Sequence, residues 1–146
     1  MPARHWIDQD ASLIIADLSG DVTSAEILDY YLAVASDPTL RPGLAVLADA
    51  RTVTGVPPFT ELIALANAKP NAPPDLRPTC AAVVVSAGWL FGIIRQFAAL
   101  AERGGIRVVP FYDIDEARAW LASDSRTTPA SVRAVEEAGF PPEWST

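Results

Sequence analysis

The sequence predicts an α/β domain with a mostly parallel sheet, and three observations carry that expectation. The first is the stretch from Thr79 to Leu121. It alternates a Val-rich apolar run (Cys80 to Val85), an amphipathic segment (Trp89 to Glu102), a second Val-rich run (Ile106 to Phe111) and a segment opened by Asp113. Leu90, Ile93, Ile94, Phe97 and Ala101 recur at helical spacing, and Gly104-Gly105 supplies a stop. A strand–helix–strand unit of this length implies a right-handed parallel crossover. The second observation is that, after an opening hairpin, the strand–helix alternation occurs four times. The third is that the main strands are apolar at both parities, Leu13 and Ile15 against Ile14, Val83 and Val85 against Val84. Both faces of such a sheet must be covered.

The elements follow in order. His5 to Asp8 reads as a short strand and Ser12 to Leu18 as a better one; the gap at Asp10-Ala11 permits only an antiparallel neighbour. Ser19-Gly20-Asp21 turns the chain into a helix from Ser24 to Ser36. There Thr23 and Glu26 form a capping box and Ile27, Leu28, Tyr31, Leu32 and Ala35 a single apolar stripe. Asp37-Pro38 ends it. Leu44 to Asp49 is the next strand, Arg51 to Val56 a loop, and Pro57-Pro58 opens a helix through Ala68. Lys69 to Pro78, with four prolines in ten residues, is a stiff surface loop. After the central unit, Asp113 and Glu116 form a second capping box for a helix ending near Ala122. Thr128-Pro129 to Gly139 reads as a short final helix with a tail, which divides the chain into a domain at 1–124 and a C-terminal helix and tail at 125–146.

Composition excludes several classes. The net charge is −7 and the pI about 4.5, against nonspecific nucleic-acid or anionic-membrane binding, both of which need a basic face. The basic residues are ten Arg and Lys69, scattered singly. Cys80 is the only cysteine, so no internal disulfide or Cys-based metal cluster can form. No run approaches the roughly 20 apolar residues of a membrane span, and MPARHWIDQD has no apolar signal core. The expectation is a soluble cytosolic protein with no cofactor.

Six residues stand out as a candidate site. Asp49 ends a strand at the carboxyl edge, where open α/β sheets bind ligands, and Arg51 and Thr52 follow it. They read either as a polar cluster receiving a ligand or as a pair that holds the loop together. Ser86 precedes a helix N-terminus suited to anions, yet the stretch lacks the Gly spacing and Lys of a phosphate loop, and an ordinary N-cap explains it. Trp89-Leu90-Phe91 places three bulky apolar residues at a helix start. Successive side chains turn by about 100°, so they cannot all face one core. Trp89 or Phe91 therefore marks either a second surface for a partner or ligand, or packing under the proline-rich loop. Asp113, Asp115 and Glu116 fit helix capping better than a metal site. His5, the only histidine, sits near an end, so a Ser-His-Asp triad would need it carried into a cleft. Cys80 lies in an apolar strand as a buried thiol. No catalytic constellation emerges, and no enzymatic activity is expected.

The phrases Gly20-Asp21-Val22-Thr23, Leu47-Ala48-Asp49-Ala50-Arg51, Leu90-Phe91-Gly92-Ile93-Ile94-Arg95-Gln96-Phe97 and Phe111-Tyr112-Asp113-Ile114-Asp115-Glu116-Ala117-Arg118-Ala119-Trp120-Leu121 span most of residues 12 to 122. With them the chain resembles the SpoIIAA-like superfamily, comprising the STAS (sulfate transporter and anti-sigma-factor antagonist) domains and their STAS/Sec14-like bacterial relatives. The resemblance implies a four-turn strand–helix superhelix, with strands in sequential order, an antiparallel first strand, and helices largely on one face. It also implies a regulatory or protein-interaction module of a bacterial cytosol or, through the Sec14-like branch, a carrier or sensor of a small apolar ligand. Anti-sigma-factor antagonists carry a phosphorylated serine in Asp-Ser-Ser-Gly after the second main strand. Here that stretch reads Gly55-Val56-Pro57-Pro58-Phe59-Thr60, which argues against a phosphoswitch at Thr52, Thr54 or Thr60.

Two structural expectations follow. Leu13, Ile15, Leu28, Leu32, Val46, Val83, Val84, Ile94, Phe97, Val109 and Trp120 form the core. With the helices on one face, the other face of the sheet would be left apolar and open. The C-terminal segment and a second copy of the chain would then share in covering it, which makes the expected partner the chain itself, as a homodimer, or another regulatory protein.

Overall fold

The computed structural model describes residues 3–67 and 76–123, so the expected C-terminal helix, the 125–146 boundary and most of the proline-rich loop lie outside the described residues. Five strands alternate with four helices: β1 (Ala3–Asp8), β2 (Leu13–Asp21), α1 (Ser24–Ala35), β3 (Ala45–Gly55), α2 (Phe59–Asn67), β4 (Cys80–Val84), α3 (Gly88–Arg103), β5 (Arg107–Phe111) and α4 (Ile114–Ala122). The sheet order is sequential, β1-β2-β3-β4-β5. β1 is antiparallel to β2, with Trp6 opposite Ile15, and every other pairing is parallel.

The two parities of the strands form two cores. Ile14, Ala16, Val46, Ala48, Ala81 and Val108 pack with Ala98 and Ala101 of α3 and with Tyr30 and Val34 of α1. On the other face, Leu13, Ile15, Leu47, Ala82, Val84, Val109 and Phe111 pack with Ala117 and Trp120 of α4. The expectation that one face lacks a helical cover is therefore corrected. Only α1, α2 and α3 lie within crossovers, whose common handedness places them in one layer. α4 follows β5, the last strand among the described residues, and folds back on the opposite face, where it contacts β3, β4 and β5. Phe111 and Trp120 meet there at a ring-centroid distance of 5.7 Å.

Two further expectations are corrected. Leu28 and Leu32 are 43 % and 44 % exposed. Ile27, Tyr30 and Val34 face the cores instead, so α1 is rotated by about one residue from its sequence stripe, and none of its residues is fully buried. The stretch after Asp49 is not a loop. β3 continues to Gly55 beside the extended end of β2, pairing Ser19 with Thr52, Gly20 with Val53 and Asp21 with Gly55 through irregular register. Val53 is buried in a cluster with Val22, Ala50 and Phe91, and Gly20 takes the left-handed φ of +66° that the irregularity requires.

The capping box at Thr23 and Glu26 is present in both directions. Asp113 caps α4 by accepting from the Asp115 backbone N–H at 2.7 Å, without the reciprocal Glu116 bond of a box. His5 Nε2 lies 2.9 Å from Asp37 Oδ2, and its ring meets the edge of Tyr30, so the histidine clamps β1 to α1 and the turn after it. Among the described residues no helix is long and apolar enough to cross a membrane.

Val84 is fully buried in the middle of the sheet. Val84→Asp is expected to unfold the domain, because an unpaired buried carboxylate costs an amount comparable to the roughly 5–15 kcal/mol stabilising a whole domain. Circular dichroism checks this, and a folded variant of unchanged stability would overturn the strand assignment.

Candidate functional site at the carboxyl edge of the sheet

Sequential parallel order brings the carboxyl ends of β2, β3, β4 and β5 side by side, and the candidate residues gather there. Asp17 of β2 is the register partner of Asp49 of β3. Two carboxylates opposite one another on one sheet face repel, and each is matched by an arginine. Arg4, brought to this edge by the antiparallel direction of β1, reaches Asp17 at 2.7 Å. Arg51 grips Asp49 with both arms, Nε to Oδ1 at 3.0 Å and NH2 to Oδ2 at 2.7 Å, and its backbone N–H donates to Oδ1 at 3.1 Å. The result is a charge row, Arg4–Asp17 beside Asp49–Arg51. These bonds, foremost the Arg51 side chain's, hold the Asp49 carboxyl below the usual carboxylate range against the opposing effect of burial.

Ser86 does not cap α3. The N-cap is Ala87, with no side-chain bond; the Ser86 hydroxyl instead donates to the Arg51 carbonyl at 2.7 Å, tying the β4–α3 turn to β3. Thr52 donates to the Leu18 carbonyl at 3.4 Å and joins β3 to β2. Asp49, Arg51 and Ser86 thus form one network, Thr52 ties the same strand to β2, and each of these polar side chains is bonded to protein.

Trp89 and Phe91 diverge. Leu90 and Phe91 are buried, while Trp89 is 41 % exposed. Phe91 serves from below: it stacks on Tyr112 at 4.7 Å and 9° between planes. Tyr112, just after β5, is nevertheless 51 % exposed, and loss of water on its covered side pushes its hydroxyl pKa up. Singling out bulky residues in the helix start passes over Tyr112; an aromatic directly after the last strand is the signal that locates it. Among the described residues no group of His, Cys, Asp and Glu is arranged to hold a metal ion.

A solved structure of an uncharacterised protein from the DUF3478 family with a SpoIIAA-like fold, from Shewanella loihica PV-4, superposes with a TM-score of 0.52 at 15 % identity, covering 82 % of this chain and 91 % of that one. This chain has the SpoIIAA-like fold. No protein-family model matches it, and no curated protein matches it. At the start of α2 the Pro58 carbonyl accepts from the backbone N–H groups of Glu61 and Leu62. An open cleft of about 420 Å³ lies beside it between the starts of α1 and α2, lined in part by Asp21, Thr23, Ser24, Pro58 and Glu61. It reaches none of the six candidate residues.

A carboxyl depressed in the folded state contributes stability that is complete above its unfolded value near pH 4 and lost as pH falls through the folded value. Asp49→Asn is therefore expected to make acid destabilisation shallower below about pH 4; Asp37, held low by Thr39 and His5, keeps it from vanishing. Arg51→Ala is expected to lower the melting temperature by leaving Asp49 facing Asp17, and Asp49→Asn should restore part of the loss. Thermal melts of the four proteins in that cycle check this, and strictly additive effects would rule out the charge row.

Proposed function

We propose that the chain is a non-catalytic, STAS-like regulatory module of a bacterial cytosol that acts by binding another protein through the carboxyl edge around Trp89 and Tyr112. The observation that carries this reading is aromatic exposure on a rigid base. Tyr112 is half exposed while resting on Phe91, itself 2 % exposed, and Trp89 projects from the first turn of a helix whose next two residues are locked in the core. Aromatic anchors that are already ordered lose little entropy on association and dominate interface energetics. The polar residues beside them bond to one another, which suits a shaped surface better than a reaction centre.

The ligand-carrier reading needs an apolar cavity between helices and sheet, with Asp49 or Arg51 at its polar end. The cleft beside α2 is open, partly acidic and lined by neither of them, and lends that reading no support.

A photo-crosslinker at position 89, in the native host, is expected to trap a discrete protein, and Trp89→Ala should weaken binding of that protein roughly tenfold or more. Its own stability should stay within about 0.5 kcal/mol. A native mass spectrum showing a retained small molecule and no protein partner would favour the carrier instead. Thr52, Thr54 and Thr60 are expected to carry no regulatory phosphate; stoichiometric phosphorylation of any of them in the native host would overturn that part of the reading.

A further inference from the structure

We propose that the outer edge of β1 pairs with β1 of a second copy of this chain, antiparallel about a two-fold axis through Trp6. This goes beyond the carboxyl-edge reading, which rests on Trp89 and Tyr112, and shares only Arg4 with the charge row at that edge.

The two edges of the sheet are not equivalent. In β5 the Arg107 N–H donates to Thr79 and the Phe111 carbonyl accepts from Val85, so the odd-numbered residues face β4 while Val108 and Pro110 face outward. Pro110 has no N–H. That edge lacks a donor, a common means of blocking strand addition. β1 is the outer strand on the other side, and its residues, Ala3–Asp8, include neither proline nor lysine. Its outer backbone groups are left open among the described residues.

The side chains of β1 fit a copy of themselves. Arg4, Trp6 and Asp8 alternate onto one face, opposite Asp17, Ile15 and Leu13 of β2. Trp6 is 51 % exposed, and the Arg4 side chain is 66 % exposed despite its contact with Asp17. In an antiparallel pair centred on Trp6, Arg4 lies opposite the partner's Asp8, Asp8 opposite the partner's Arg4, and Trp6 opposite the partner's Trp6. Opposite charges and facing aromatics are the favourable cross-strand pairs. Sliding by one allowed step sets Trp6 against a charged residue and loses the match. For a chain of net charge −7, whose copies repel at long range, this local complementarity selects the edge and the register together.

Trp6→Cys tests the geometry directly. Cα atoms across the axis would lie about 4.5–5.5 Å apart, within the range a disulfide spans, and the native Cys80 is buried. Mild oxidation is expected to give a covalent dimer with Trp6→Cys and none with Leu28→Cys, an exposed position elsewhere. In sedimentation equilibrium at micromolar concentration, the wild type is expected at twice 15.6 kDa. Arg4→Asp and Asp8→Arg should each lose the dimer, and their mixture should regain it, because an all-acidic edge then meets an all-basic one. A wild-type monomer, or a dimer that Trp6→Cys fails to crosslink, would overturn the proposal. Should either charge variant fail to fold by circular dichroism, the Trp6→Cys result decides, since that side chain is half exposed.

Discussion

The parallel strands present apolar side chains to both faces, and the fold stands only if two separate layers cover them. Three crossover helices of one handedness can build only one layer. The second depends on α4, whose nine residues would be marginal as an isolated helix in water. What holds it is the burial of Trp120 and Ala117 against Leu47, Val84 and Phe111, at roughly 1.5–3 kcal/mol for each large side chain fully buried. Helix and face are thus mutually dependent: the face needs α4 for cover, and α4 has little reason to be helical without the face.

The same topology makes the carboxyl edge. Sequential order aligns the strand ends, and every bend from strand to helix occurs there, so residues distant in sequence become neighbours. Ser86 meets the Arg51 carbonyl, Tyr112 meets Phe91, and Asp49 faces Asp17. Like charges in adjacent strands are tolerable because each has an arginine of its own. An exposed ion pair contributes little by itself, but here each pair also removes a repulsion that the register imposes.

The features legible in the sequence were those with local causes. Strand–helix alternation, the Thr23–Glu26 box, the cap at Asp113 and the divergence of side chains within Trp89-Leu90-Phe91, though not which of them turns outward, all follow from residues within four positions of each other. What was not legible depends on distant partners. Arg51 to Gly55 is mostly polar and reads as a loop; it is strand because the end of β2 extends beside it. Leu28 and Leu32 sit on a plausible stripe, but the phase of α1 is set by β1 and α2, not by the stripe. Ser86 had the right type and place for a cap, and a carbonyl thirty-five residues away in sequence took its hydroxyl instead. For α4, the apolar pattern fits either face equally well. Among the described residues no strand follows it, so it lies outside the crossover layer and can cover the far side.

Arg4 connects the two surfaces. Because β1 runs against its neighbour, the start of this strand lies both at the carboxyl edge, where Arg4 meets Asp17, and at the open side of the sheet. With two-thirds of its side chain exposed, the guanidinium has donors to spare beyond the one that Asp17 accepts. A carboxylate arriving from a second chain could be shared with Asp17 without breaking the existing bond. Such a contact would draw on the cation that offsets Asp17 and would leave Asp49 in the two-armed grip of its own Arg51.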